Sequence, residues 1–258
     1  MTTTSYLLTD SATMIRRDMK RMVRFPLMTI SGIGTPVIMM LLFAYVFGTA
    51  ISGGAGRGTY VNYIAPAILI MTIGGGGSAT AININTDMSE GVIARLRTMA
   101  ISRFAVLSGQ VGGSLIRTGI SLALVFGVAF LIGFRPHPGP LGWLAVIGLL
   151  ALVTFAVTWM TAAFGLAAKT QAGANSLSLL FTFGPFVSSA FVPTDTMPEG
   201  VRWFAENQPF TPIIDTLRHL LDGTPVGNTW MLAVLWSIAL AAVGILWSRS
   251  AFMKLPTR

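Results

Sequence analysis

Residues 141–168 read LGWLAVIGLLALVTFAVTWMTAAFGLAA, twenty-eight positions without one charged side chain. At about 1.5 Å per residue a helix of that length reaches past the roughly 30 Å hydrocarbon core of a bilayer. This run decides the fold class, because five further stretches of the chain resemble it. The apolar spans fall at roughly 27–48, 61–84, 111–134, 141–168, 174–193 and 229–248. Composition agrees: 53% of residues are hydrophobic, only 10% are charged, and mean hydropathy is +0.72. Soluble domains carry about 25% charged residues. The expectation is an all-α, polytopic membrane protein: one transmembrane domain over 1–258 with six spanning helices.

The basic residues set an orientation. The N-terminal segment (five), the 85–117 region (four), Lys169 and the C-terminal tail (three) hold thirteen of the 17 Lys and Arg. The remaining connections hold four: Arg57, Arg135, Arg202 and Arg218. The positive-inside rule puts both termini and the 85–117 region in the cytoplasm. An even number of spans requires the termini to share a side, so the two arguments agree. The net charge of +8 then points to anionic lipid headgroups, not to nucleic acid.

Two connections carry more than loop chemistry. Up to Arg24, Leu8, Ala12, Ile15, Met19, Met22 and Val23 fall on one arc of an ideal helix. Arg17, Lys20, Arg21 and Arg24 lie opposite, with Arg16 at the border. That is the pattern of a helix lying on the inner leaflet; a solvated basic tail is the alternative. The second is the segment 194–228, TDTMPEGVRWFAENQPFTPIIDTLRHLLDGTPVGN. Its Phe210, Ile213, Ile214, Leu217, Leu220 and Leu221 have helical spacing, but the apolar run is too short to cross. A short helix that dips into the outer interface and returns fits better, with Pro209 and Pro212 at its start and Gly223 ending it.

Several chemistries are excluded. With no cysteine in the chain there is no disulfide, thiolate metal site or cysteine nucleophile. His137 and His219 are far apart in sequence, which argues against a metal centre. The nearest phosphate-loop string, FGLAAKT at 164–170, has Ala168 before Lys169 where the loop needs glycine. The run IGGGGSA at 73–79 lies within a span, where small residues let helices approach. No Asp or Glu falls within the spans as drawn, which weakens an intramembrane protease or an ion-driven carrier. Arg117, near a span end, is positioned to snorkel.

What remains is EGVIARLRTMAISRF at 90–104. Residues 88–103 read as a helix beneath the membrane, with Val92, Leu96 and Met99 as an apolar ridge between charged flanks. Such a helix suits a groove on a cytosolic protein; an ordinary basic loop is the alternative. Glu90, Arg95, Arg97 and Arg103 are the candidate polar contacts, Leu96 and Met99 the buried ridge.

This stretch resembles the loop motif of ABC-2 type transporter permeases. Glu90-Gly91, then Arg95-Leu96-Arg97-Thr98-Met99 and Ile101-Ser102-Arg103, match it; Ala100 stands where the family usually has proline. The pattern at 191–223 is also similar, and the resemblance covers essentially the whole chain. The subgroup it most resembles is the daunorubicin-resistance type of permease subunit. The resemblance implies a non-catalytic exporter subunit in the bacterial plasma membrane. It implies pairing with a second, identical or sister, permease and docking on two copies of a cytosolic ABC ATPase, which binds the ATP and Mg. It makes 88–103 the coupling helix, so that Glu90, Gly91, Arg95, Leu96, Arg97, Thr98, Met99 and Arg103 form the ATPase interface. Arg16, Arg17, Lys20, Arg21 and Arg24 belong to the interfacial helix, and the resemblance makes 199–222 an external re-entrant hairpin of two short helices closing the outer end. No cofactor is expected in this chain.

Spans one and five carry Met39, Phe43, Phe181 and Phe183, candidates for a path taken by a hydrophobic or amphiphilic cargo such as a drug, polyketide or lipid. At helical spacing such side chains are as readily packing or lipid-facing residues. The rival readings are a permease for polysaccharide or other polar cargo, an ATP-independent channel or carrier, and a membrane anchor for a cytosolic regulator.

Overall fold

The computed structural model describes residues 26–47, 57–90 and 103–253. Among these there is no strand, and the architecture is an all-helical bundle. In chain order the helices are α1 (Pro26–Leu42, running on into a π-turn at Phe43–Phe47), α2 (Arg57–Ser89), α3 (Arg103–Ile132) and α4 (Pro140–Ala167). Then follow α5 (Gln171–Phe183), α6 (Glu199–Asn207), α7 (Phe210–Asp222) and α8 (Thr229–Met253). Among the described residues, four helices are long and apolar enough to cross a membrane: Tyr60–Ser89, Leu107–Ile132, Pro140–Ala167 and Thr229–Met253.

The centre of the bundle is α2, against which α1, α3, α4 and α5 pack. Its sequence explains why. Gly74, Gly76 and Gly77 present almost no bulk, so three neighbours reach its backbone within one turn. A side chain at Gly74 would strike the Phe181 carbonyl of α5, one at Gly76 the Thr118 hydroxyl of α3, and one at Gly77 the Thr161 methyl of α4 at 2.9 Å. Small residues serve this purpose between membrane helices, where van der Waals packing replaces the hydrophobic drive between them.

A second seam joins α4 to α8. Ala233, Ser237, Ala241, Gly244 and Ser248 are all buried, a stripe of small residues at helical spacing. At Gly244 an added Cβ would lie 2.6 Å from the Met160 nitrogen. The Ser248 hydroxyl donates to the Trp159 carbonyl at 3.2 Å. The remaining faces of α3 and α8 carry exposed Leu124, Leu131, Leu235 and Leu246, the apolar exterior that lipid tolerates and water does not.

The structure corrects two expectations. Residues 174–193 are not one spanning helix. The Gly184-Pro185 pair stops α5 after 13 residues, about 20 Å, and a 3₁₀ turn over Gly184–Val187 and an irregular turn follow. The α2 helix also runs on past 84 to Ser89, so Asp87, read from sequence as lying outside the span, sits within a helix and is 5% exposed. The segment 199–222 consists of the two short helices α6 and α7, and Gly223 closes α7 in the left-handed conformation (φ 69°).

Candidate functional site

The two helices that bracket residues 91–102 are joined by a ladder of polar contacts. Gln110 Nε2 donates to the Asp87 carboxylate at 2.5 Å. The hydroxyls of Thr80 and Ser114 bond each other. Arg117 reaches both, Nη2 lying 3.2 Å from Ser114 Oγ and 3.3 Å from Thr80 Oγ1. Thr118 closes over Gly76. Positions 76, 80 and 87 on α2 thus meet 118, 114–117 and 110 on α3 in antiparallel order. Side chains spaced by three, four or seven residues share a helix face, and buried polar groups between apolar helices find partners because hydrocarbon offers none. Arg117 therefore serves as a contact between two helices.

Asn85, on a neighbouring face of α2, is 4% exposed. Its Nδ2 donates to the Gly165 carbonyl at 3.1 Å and to that of Ala168 at 2.7 Å. The last carbonyls of a helix have no partner within it, and Asn85 supplies one for the end of α4. Two residues on, Thr170 caps α5 by accepting from the Gly173 amide at 3.1 Å.

Of the residues expected to contact a motor, Glu90 lies one residue past α2, exposed, with its amide bonded to the Thr86 carbonyl at 2.9 Å. Arg103 is the first residue of α3. Gly91, Arg95, Leu96, Arg97, Thr98 and Met99 lie outside the described residues, as do Arg16, Arg17, Lys20, Arg21 and Arg24.

At the opposite end of the bundle the fastening is ionic. Arg218 on α7 pairs with Asp215 at 2.6 Å, donates from Nη2 to the Ser189 carbonyl at 2.9 Å, and lies 4.0 Å from the centre of the Tyr63 ring. Tyr63 on α2 donates to the same Ser189 carbonyl at 3.0 Å, and the Ser189 hydroxyl donates to Asp215 at 2.6 Å. This clasp ties α7, the turn at 188–191 and α2 together. The Leu221 carbonyl accepts from the His137 amide at 2.9 Å, which adds the loop before α4. Burial pushes the neighbouring Asp222 carboxyl above its ordinary value, against the pull of Arg218, His219 and His137.

The cargo candidates separate into two groups. Phe181 is 3% exposed and packs between Phe164 and Phe210; Met39 is half-buried against the same core. Phe43 and Phe183 instead end one aromatic row. Phe43 stacks on Phe191 at 4.4 Å, Phe191 on Phe186 at 4.9 Å, and Phe186 meets Phe183 at 5.9 Å. Phe183 is half exposed at the end of the row. Two apolar cavities of about 560 Å³ each also open on the bundle. One lies between α3 and α4 around Phe126, Trp143 and Phe155, the other beside Gly148, Thr216 and Trp230. Among the described residues no cluster of three or more potential metal ligands occurs.

Neither Asn85 nor the clasp was found by sequence reasoning. The partners lie far along the chain: 80 and 83 residues for Asn85, and 155 for Arg218 with Tyr63. Only the presence of Asn, Asp and Gln at the ends of apolar runs signals them.

The profile of the ABC-2 type transporter family matches residues 10–221. The chain belongs to the ABC-2 type transporter family. Among curated proteins, it is similar to the daunorubicin resistance ABC transporter permease protein DrrB1 of Streptomyces coeruleorubidus, 26% identical over 89% of this chain and 80% of that one. The probable doxorubicin resistance ABC transporter permease protein DrrC of Mycobacterium tuberculosis is 24% identical over 88% of this chain and 82% of its own length. The doxorubicin resistance permease DrrB of the same organism is 27% identical over 84% and 82%. The ABC-2 match takes in α1 to α7 and the 91–102 segment in one block, so the polar ladder and the clasp both lie within it.

Proposed function

We propose that this chain is the permease subunit of an ATP-binding-cassette exporter that moves a hydrophobic or amphiphilic, drug-like compound outward and is driven by a separate cytosolic ATPase. The observation that carries the reading is the ABC-2 match over residues 10–221, which covers the loop at 90–103 and the helices on either side of it. Alignment with drug-resistance permeases across about four fifths of their own lengths supports the cargo class.

In this reading the 91–102 loop and both termini face the cytoplasm, and the loop docks in a groove of the ATPase. The α1 and α5 segments complete a six-segment membrane domain. The α6–α7 hairpin closes the outer end, and a second permease, identical or sister, completes the passage. Two states of the motor that hold the loop differently shift the bundle between two arrangements. Cargo slides past the aromatic row ending at Phe43 and Phe183, apolar surface of the kind that suits amphiphiles.

The test is biochemical. Purified from its native membrane in mild detergent, the chain brings down a protein bearing a phosphate-binding loop in comparable amount. Arg97→Glu leaves the permease inserted but abolishes substrate-stimulated ATP hydrolysis by the complex. Transport by the isolated chain in liposomes, with no hydrolase added, overturns the reading.

A further inference from the structure

The α5 helix is only 13 residues long, and α2 holds it at both ends. At its end, the backbone of Phe181 and Thr182 rests directly on Gly74. At its start, Asn85 holds Ala168, two residues before the Thr170 cap. Ala168 itself turns extended (φ −75°, ψ 138°), so α4 and α5 are joined by a bend that the Asn85 amide holds through the Ala168 carbonyl. A helix of about 20 Å cannot set its own depth by spanning the hydrocarbon; its place is dictated by what grips it.

We propose that Asn85 is a positioning residue that passes movement of the 91–102 loop to α5. Asn85 stands four residues before Ser89, the last residue of the same helix, about 6 Å along the axis. The Gln110–Asp87 and Ser114–Thr80 contacts make the adjoining turns of α2 and α3 move together. A shift at the loop therefore drags the Ala168 carbonyl, then the Thr170 cap, then the helix whose exposed end carries Phe183. The proposal rests on the reading that the loop takes the motor's push, and it names the route by which that push reaches the aromatic row.

The absence of cysteine from the sequence allows a clean test in the full complex of permease and its ATPase in lipid nanodiscs. Two single-cysteine reporters are introduced, Ser89→Cys at the exposed end of α2 and Ser176→Cys on the exposed face of α5. Their maleimide labelling rates are compared with and without ATP and Mg. In the parent, both rates change on adding nucleotide. With Asn85→Ala added, the response at 89 persists, the response at 176 is lost, and substrate no longer stimulates hydrolysis although the ATPase still co-purifies. A full response at 176 in the Asn85→Ala background overturns the proposal. If that variant does not reach the membrane, Asn85→Ser, which keeps one donor in a smaller volume, gives a reduced response at 176; an undiminished one overturns the proposal equally. No response at either reporter in the parent overturns the loop-drive reading itself and this proposal with it.

Discussion

The two ends of the bundle are fastened by different chemistry. Near residues 91–102, α2 is joined to its neighbours by a spread of polar side chains: Asn85 on two carbonyls, Gln110 on the Asp87 carboxylate, Thr80 on Ser114, and Arg117 on both of those hydroxyls. At the other end a guanidinium is caught between a carboxylate, a backbone carbonyl and an aromatic face. A neutral hydrogen bond contributes about 1 kcal/mol net and can be exchanged for a similar one nearby. Breaking one half of a partly buried ion pair leaves a charge stranded, which costs several times as much. The end near residues 91–102 thus spreads its polar contacts over several side chains, and the clasp end gathers them on one guanidinium.

The most severe test leaves both ends in place and attacks the seam between α4 and α8. Gly244→Leu drives a side chain into the Met160 backbone, 2.6 Å from the added Cβ, and opens the α4–α8 seam. Overpacking of this kind costs about 3 kcal/mol or more where backbone cannot retreat. The expected outcome is loss of monodisperse protein on size exclusion; a normal elution profile would mean that the seam is not tight.

Arg218→Ala breaks only the clasp. Its side chain is 14% exposed and that of Asp215 27%, so solvent screens part of the loss and about 2 kcal/mol is expected. A thermal melt in detergent reads this as a lower midpoint, with Arg218→Lys intermediate because lysine keeps the charge but not the planar fork or the stack on Tyr63. Equal midpoints for all three proteins would remove the contrast between the ends.

Thr170→Ala acts only near the loop and is the mildest. Losing the cap of α5 costs about 1 kcal/mol and should increase amide exchange over residues 171–174 while leaving the clasp residues protected. Exchange that rises equally at 215–218 would show that the two ends do not respond separately.

The sequence made the greater part of the helical plan legible. Charge-free runs and proline or glycine punctuation located α2, α4 and α8 to within about five residues, α3 begins eight residues before the span drawn for it, and Gly223 marked the end of α7. The fifth apolar run misled because apolarity does not distinguish a helix from the turn at 184–193; the signal was Gly184-Pro185. The span drawn to 84 ended with the apolar run, whereas the helix continues to Ser89 with Asp87 bonded to Gln110, 23 residues later. Of the residues singled out in the sequence, Glu90 lies just past α2, Arg103 opens α3, and Phe43 and Phe183 end one aromatic row. That Phe181 faces inward, and that Asn85 and Arg218 hold the bundle together, depends on contacts between segments far apart in the chain, which local periodicity does not encode.

The glycine seat on α2 has a mechanical consequence. From Gly77 to Ser89 the helix extends about 18 Å, and from Gly74 back to Arg57 about 26 Å. Pivoting at the seat makes α2 a see-saw of unequal arms: a small tilt imposed at Ser89 returns at Arg57 with opposite sign and roughly half again the amplitude, which spin-label pairs placed at the two tips would register as opposed displacements.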